Sequence, residues 1–193
     1  EDTAAEIAAI RAIKTPAQVA LLEHAARGAH RAALDAMQAS RLGDSEIAMV
    51  KRIGDGIVAN GAERPFFLYL LTGDRTTVSH GLPSDRRLRE SEIIRFDVGR
   101  DAYPRHGLTF RMGLVGHSLG VELHEAPVMR PGDRTPLAPG MVLNVEVSVT
   151  DEADTYYHLE DLLVVTESGH RLLTLGLAPR EIPCIGEVVA TDG

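Results

Sequence analysis

What most constrains this chain is a set of ionisable residues placed in or against the apolar runs of its second half. Asp97 follows Ile93, Ile94, Arg95 and Phe96; Glu146 stands between Val145 and Val147; Glu160 lies just ahead of Asp161 and the run Leu162-Leu163-Val164-Val165. A carboxylate in such surroundings costs several kcal/mol unless something neutralises it. An unpaired glutamate there takes up a proton, whereas a divalent cation holds it ionised. Glu146 and Glu160 are separated by the turn-prone stretch from Asp151 to Thr155, so an antiparallel hairpin brings both side chains to one face. His117, with Gly116 before it and Gly120 three residues after it, adds an imidazole on a segment whose glycines let the backbone pass close to an ion or ligand. One histidine and three carboxylates of this kind read as a hydrolytic metal set; taken singly, His117 also reads as a structural histidine, Asp97 as a strand-end turn or salt-bridge residue, and Glu146 as an outward-facing strand residue.

The 193 residues, 44% hydrophobic and 25% charged, are enough for one sizeable core and short for two full domains, so residues 1–193 are read as a single domain. A net charge of −8 gives no basic field for nucleic acid or for an anionic membrane. Arg86, Arg87 and Arg89 are balanced by Asp85, Glu90 and Glu92 and read as a solvated face. The one cysteine, Cys184, cannot form an internal disulfide, and no apolar run approaches a membrane span, so the expected compartment is the cytoplasm. The sequence opens on Glu1 rather than methionine, which leaves room for trimming or for an upstream part.

The first third reads as helical. Thr15-Pro16 supplies a cap and a first-turn proline, and Val19, Leu22, Ala26, Ala29 and Ala33 recur as one buried stripe. A second helix starts after Gly43-Asp44 with Asp44 as cap, runs through Ile47, Val50, Ile53 and Ile57, and stops at Asn60-Gly61. From residue 66 the period changes. Phe66 to Leu71, Ile93 to Val98, Met141 to Val149 and Leu162 to Thr166 read as strands of a mostly antiparallel sheet.

His80, in Ser79-His80-Gly81-Leu82-Pro83, and His124, in Leu123-His124-Glu125-Ala126-Pro127, each precede a turn, which suits an imidazole projecting into a cleft. A surface position is the bland alternative for either. His24, His30, His106, His158 and His170 are read as structural or exposed.

Taken together, Ser79-His80-Gly81, Asp97-Val98-Gly99, Val115 to Gly120, His124 to Pro127, Gly140 to Glu146 and Leu159-Glu160-Asp161 resemble the creatinase/aminopeptidase family with the pita-bread fold. The opening Ile10-Arg11-Ala12-Ile13-Lys14 resembles the start of the catalytic domain in its Xaa-Pro aminopeptidase and prolidase branch. The resemblance implies an α+β fold: a curved, mostly antiparallel sheet covered by helices. It implies two divalent ions, of manganese, cobalt, iron or zinc, with Asp97, His117, Glu146 and Glu160 on four of five ligand positions. His80 and His124 match the auxiliary histidines. The implied reaction is a metal-bound hydroxide attacking the carbonyl of a short peptide, with Glu146 handling the proton and His124 near the developing oxyanion. A homodimer is also implied.

The chain departs from the family pattern in three places. The second aspartate ligand and a helical layer before the Gly-His motif have no counterpart, because Asp97 and His117 are only 20 residues apart. Asp101 does not replace that ligand, since four strand residues span about 13 Å. Either a segment is missing near residue 103 or the chain is a shortened homologue; the first is preferred, because one sheet face would otherwise lack its cover. Val147 replaces the proline after the first glutamate, and His158 replaces the arginine two before the second. These changes keep two alternatives in view: a hydrolase of a small amide or guanidino compound, and an inactive binding protein of the same fold.

Overall fold

The computed structural model describes residues 3–62, 65, 68–78, 81–96, 109–110, 115–150, 156–177 and 185. Asp97, His80, the Asp101 region with the junction near Tyr103, and the turn at 151–155 lie outside the described residues. The chain divides into two compact units, residues 1–26 with 99–175 and residues 27–98 with 176–193. Among the described residues, three α-helices and antiparallel strands make the fold α+β, as the sequence implied.

Among its described residues, the first unit is built on a six-stranded antiparallel sheet. Its strands are β3 (Thr109–Phe110), β4 (Gly116–Ser118), β5 (Glu125–Met129), β6 (Val142–Thr150), β7 (Tyr156–Thr166) and β8 (Gly169–Leu172). Along one path they run β5-β4-β6-β7-β8, and β3 pairs separately with β6. The centre is the long hairpin of β6 and β7, in which Val142 faces Val164, Asn144 faces Leu162, Glu146 faces Glu160 and Ser148 faces His158. Side chains alternate between the two faces, so Val142, Asn144, Glu146 and Ser148 share one face with Val164, Leu162, Glu160 and His158.

At one end of that face sits an apolar core. Val142, Leu162, Val164 and Leu173 close on Val19 of helix α2 (Pro16–Ala39), with Leu22 and Ala26 packed beside them. The opposite face buries Leu143 with Ala12 of helix α1 (Thr3–Ala12) and Met141, flanked by Leu163 and Val165. The face that carries Glu146 and Glu160 is therefore apolar at one end and ionisable farther along the same strands.

In the second unit, α3 (Glu46–Ala59) and the later part of α2 pack with a two-stranded antiparallel pair, β1 (Leu70–Thr72) and β2 (Ile94–Phe96). Ala36, Met49, Ile53, Leu70 and Leu88 form its core. Several local expectations need correction here. Ala29 is exposed, while Val19 and Ala33 are buried as expected and the stripe of α2 widens to Ala32, Ala36 and Met37. Ile47 is also exposed, because the buried face of α3 runs through Glu46, Met49 and Ile53. The cap of α3 is Ser45, whose hydroxyl accepts from the Ala48 N–H, while Asp44 accepts from the Arg41 N–H and pairs with Arg52 at 2.7 Å. Strand β1 begins at Leu70, with Leu68 and Tyr69 ahead of it outside the strand; residues 66 and 67 lie outside the described residues.

Asp85, Arg87, Arg89 and Glu90 are exposed, as read for a solvated face, but Arg86 is half-buried. It contacts the carboxylates of Glu92 at 2.6 Å and Asp74 at 3.1 Å, and its guanidinium holds the Glu92 carboxyl down to about 2.

Glu46 is the polar centre of this unit. Fully buried, it accepts hydrogen bonds from the backbone and hydroxyl of Thr72, from the backbone and hydroxyl of Ser84, and from Arg75 at 2.7 Å. Removing it would leave these donors facing an apolar gap. Glu46→Ala is expected to destabilise the protein by about 3–5 kcal/mol in urea unfolding; a loss below about 1 kcal/mol would contradict this assignment.

Candidate metal centre

Strand register brings the site together. Glu146 and Glu160 are directly opposed across β6 and β7, and His117 pairs with Asn144 in the neighbouring ladder, which puts its ring beside Glu146. His117 and Glu146 are buried, at 3% and 7% exposure, and Glu160 is half-buried. His117 Nε2 stands 3.7 Å from Glu146 Oε1. The ring's Nδ1 is 3.0 Å from the Ser118 carbonyl, a contact in which only an Nδ1–H can donate. That tautomer leaves the Nε2 lone pair facing the carboxylate, the arrangement in which imidazoles bind metals.

His158, read as structural or exposed, is not exposed, its side chain being 6% accessible, and it stands in the same group. Its Nε2 is 2.8 Å from Glu160 Oε1 and 3.8 Å from Glu146 Oε2, and its Nδ1 is 2.5 Å from Ser148 Oγ. One donor atom from each of Glu146, His158 and Glu160 lies within 4.8 Å of the others. Asn144 completes this part by donating from Nδ2 to Glu160 Oε2 at 3.0 Å. The missed signal was strand alternation. His158 is two residues from Glu160 on one strand and so shares its face.

His124 is exposed, and its ring lies 4.1 Å from that of His117, tilted by 47°. Of the sequence-derived residues, His117, Glu146, Glu160 and His124 are thus found together on one side of the sheet. Asp97 and His80 lie outside the described residues.

Two local devices hold this arrangement. The first is Gly116, at φ +146°, where a Cβ would stand 2.2 Å from the Asn144 carbonyl oxygen and 3.1 Å from Val145 Cα. Its space is taken by the adjoining strand rather than by a ligand, so it sets how close β4 and His117 come to β6. Gly120 likewise makes room for the Glu125 carboxylate, 2.6 Å from the place of its missing Cβ.

The second device is a buried ion pair on the opposite face. Lys14 donates to Ser118 Oγ at 2.9 Å and pairs with Glu125 Oε2 at 3.2 Å, while Arg11 contacts the other carboxylate oxygen. Burial acts to raise the Glu125 pKa, but bonds from the Glu122 N–H, Arg11 and Lys14 outweigh it and hold the carboxyl below the usual glutamate value. Ser118 in turn donates to the Val142 carbonyl at 3.0 Å. The β4–β5 segment that carries both His117 and His124 is tied in this way to α1 and β6.

The donor set suits a divalent cation. Two carboxylates opposed on a buried face repel unless positive charge lies between them, and the two imidazoles supply lone pairs at the same place. The sequence profile of metallopeptidase family M24 matches residues 100–167, the span that holds all of these groups. The chain resembles metallopeptidase family M24.

Curated relatives agree with the M24 resemblance. An Xaa-Pro dipeptidase of Pyrococcus furiosus is 23% identical over 221 positions, covering 86% of this chain and 64% of its own length. A peptidase of Bacillus subtilis is 24% identical over 229 positions, covering 90% and 64%. Both alignments are longer than this chain, so each relative has positions with no counterpart here, and the chain spans under two thirds of either one. Among solved structures, the X-Pro aminopeptidase from Thermotoga maritima superposes with a TM-score of 0.80 at 21% identity, covering 93% of this chain and 66% of that one. The prolidase from Pyrococcus furiosus superposes at 0.70 with 25% identity, covering 87% and 63%. The pita-bread fold implied by the M24-like motifs is the fold of this chain.

Gly116→Ala adds a methyl into the Asn144 carbonyl at a positive φ. It is expected to cost at least about 2 kcal/mol in chemical denaturation and to shift the His117 ring resonances in an imidazole NMR spectrum. Wild-type stability with unmoved His117 signals would refute the close approach.

Proposed function

We propose that this chain carries the catalytic centre of a metal-dependent exopeptidase of the Xaa-Pro aminopeptidase and prolidase type, acting on short peptides. The observation that carries the reading is the opposition of Glu146 and Glu160 with His117 at 3.7 Å from Glu146. The residues that would hold metal are His117, Glu146 and Glu160, together with Asp97 by its place in the motif. When bound, divalent ions supply Lewis acidity toward the scissile carbonyl and lower the pKa of water. The reading takes two ions from manganese, cobalt, iron and zinc, a homodimeric assembly, and a cytoplasmic setting.

The chain's own groups divide the remaining work. Glu146, buried on the sheet face, accepts the proton that leaves the attacking water, and the apolar end of that face keeps the reaction away from bulk solvent. His124, exposed and tilted against the His117 ring, is available to donate to the substrate carbonyl as negative charge develops there. His80 serves as the second auxiliary donor by its motif. The family match and the named peptidase relatives support a peptide substrate.

Glu146→Gln keeps the size and hydrogen-bonding reach of the side chain and removes its charge. With manganese added, the protein is expected to release the N-terminal residue from Xaa-Pro peptides, and Glu146→Gln to lower kcat/KM by about 10³-fold or more with an unchanged circular dichroism spectrum. Wild-type turnover by the variant would defeat the assignment.

A further inference from the structure

The resemblance assigns no role to His158, yet the structure turns its ring into the space between the two glutamates. We propose that His158 is a metal ligand through Nε2, oriented by Ser148, and that it shifts this centre toward zinc over manganese. The inference rests on the same carboxylate pair as the function proposed above and names a ligand and a metal preference for it.

Three observations carry the inference. Donors held by one cation at about 2.1 Å stand about 3 to 3.5 Å apart; His158 Nε2 lies 2.8 Å from Glu160 Oε1 and 3.8 Å from Glu146 Oε2, on either side of that spacing. The ring is held from behind, with Nδ1 at 2.5 Å from Ser148 Oγ, its cross-strand partner in register. A hydroxyl can donate to Nδ1 or accept from it. With Nε2–H donating to Glu160, Ser148 donates to Nδ1; with the Nε2 lone pair committed to a cation, the proton resides on Nδ1 and Ser148 accepts it. Both states use the same heavy-atom positions. Finally, His117 approaches the other oxygen of Glu146, so the carboxylate has an imidazole nitrogen near each of its oxygens. Two nitrogens and the carboxylates form a mixed set that suits zinc, whereas an all-carboxylate set suits manganese and magnesium.

The alternative is that His158 only bridges the two like charges as an N–H donor. His158→Gln separates the two roles, because the amide can still donate to Glu160 but is a poor metal ligand. Zn(II) and Mn(II) chloride would be titrated into the chelator-treated protein, into His158→Gln and into Ser148→Ala, with circular dichroism recorded for each. The expected result is a loss of zinc affinity of about tenfold or more in both variants, with manganese affinity changing less than about threefold. Pulsed EPR on copper-substituted protein would count two coordinated imidazoles in the wild type and one in His158→Gln.

Zinc affinity in a folded His158→Gln within about twofold of wild type would overturn the proposal, as would a single imidazole in the wild type or no binding of either metal. The two proposals fail separately. Xaa-Pro hydrolysis with zinc binding unaffected by His158→Gln would remove this inference and leave the peptidase standing; His158-dependent zinc binding without peptide hydrolysis would do the reverse.

Discussion

The structure of the site depends on one unfavourable pairing. The antiparallel register of the central hairpin sets Glu146 directly opposite Glu160, both on a face whose other end is a closed apolar core. Opposed like charges destabilise a sheet, and a one-residue slip would move every side chain of either strand to the other face. The fold keeps the pairing by closing the rest of that face with Val142, Val164 and Leu173, and by lining the carboxylates with His117, His158 and Asn144. Positive charge delivered between the glutamates turns a destabilising contact into a binding one.

The supports of this pairing lie elsewhere in the same unit. Gly116 allows β4 to approach β6 closely enough for His117 to reach Glu146. Lys14, Arg11 and Glu125 fasten the following turn, with Ser118 joining Lys14 to the Val142 carbonyl. A buried lysine and glutamate contribute little to net stability, but breaking the pair would leave a charge without compensation beside the β4–β5 segment that carries His117 and His124. The placement of His117 and His124 therefore draws on a helix far away in sequence.

Much of this was legible in the sequence, and for stated reasons. The β6–β7 hairpin followed from a turn-prone stretch between two apolar runs, which put Glu146 and Glu160 on one face; their direct opposition is a matter of register that the structure supplies. His158 escaped because a histidine without recognised spacing was weighed singly, although strand alternation alone puts it on the face of Glu160. The helices were found, but their buried faces drifted: Glu46 is fully buried where an apolar stripe through Ile47 was expected, because five hydrogen bonds outweigh the cost of its charge. Lys14 could not have been anticipated, since its partners Ser118 and Glu125 lie more than a hundred residues away. The cluster around Arg86 was read as solvated, which holds for the exposed Asp85, Arg87, Arg89 and Glu90, whereas Arg86 is half-buried because Asp74 joins Glu92 on its guanidinium.

The central claim is that a cation lies between the opposed carboxylates of β6 and β7. Anomalous diffraction from crystals of the full chain grown with zinc or manganese, measured on either side of the metal's absorption edge, tests it most directly. The account predicts an anomalous peak within bonding distance of carboxylate oxygens from both Glu146 and Glu160. A metal peak located elsewhere in the chain, with this pair lacking anomalous density under saturating metal, would contradict it.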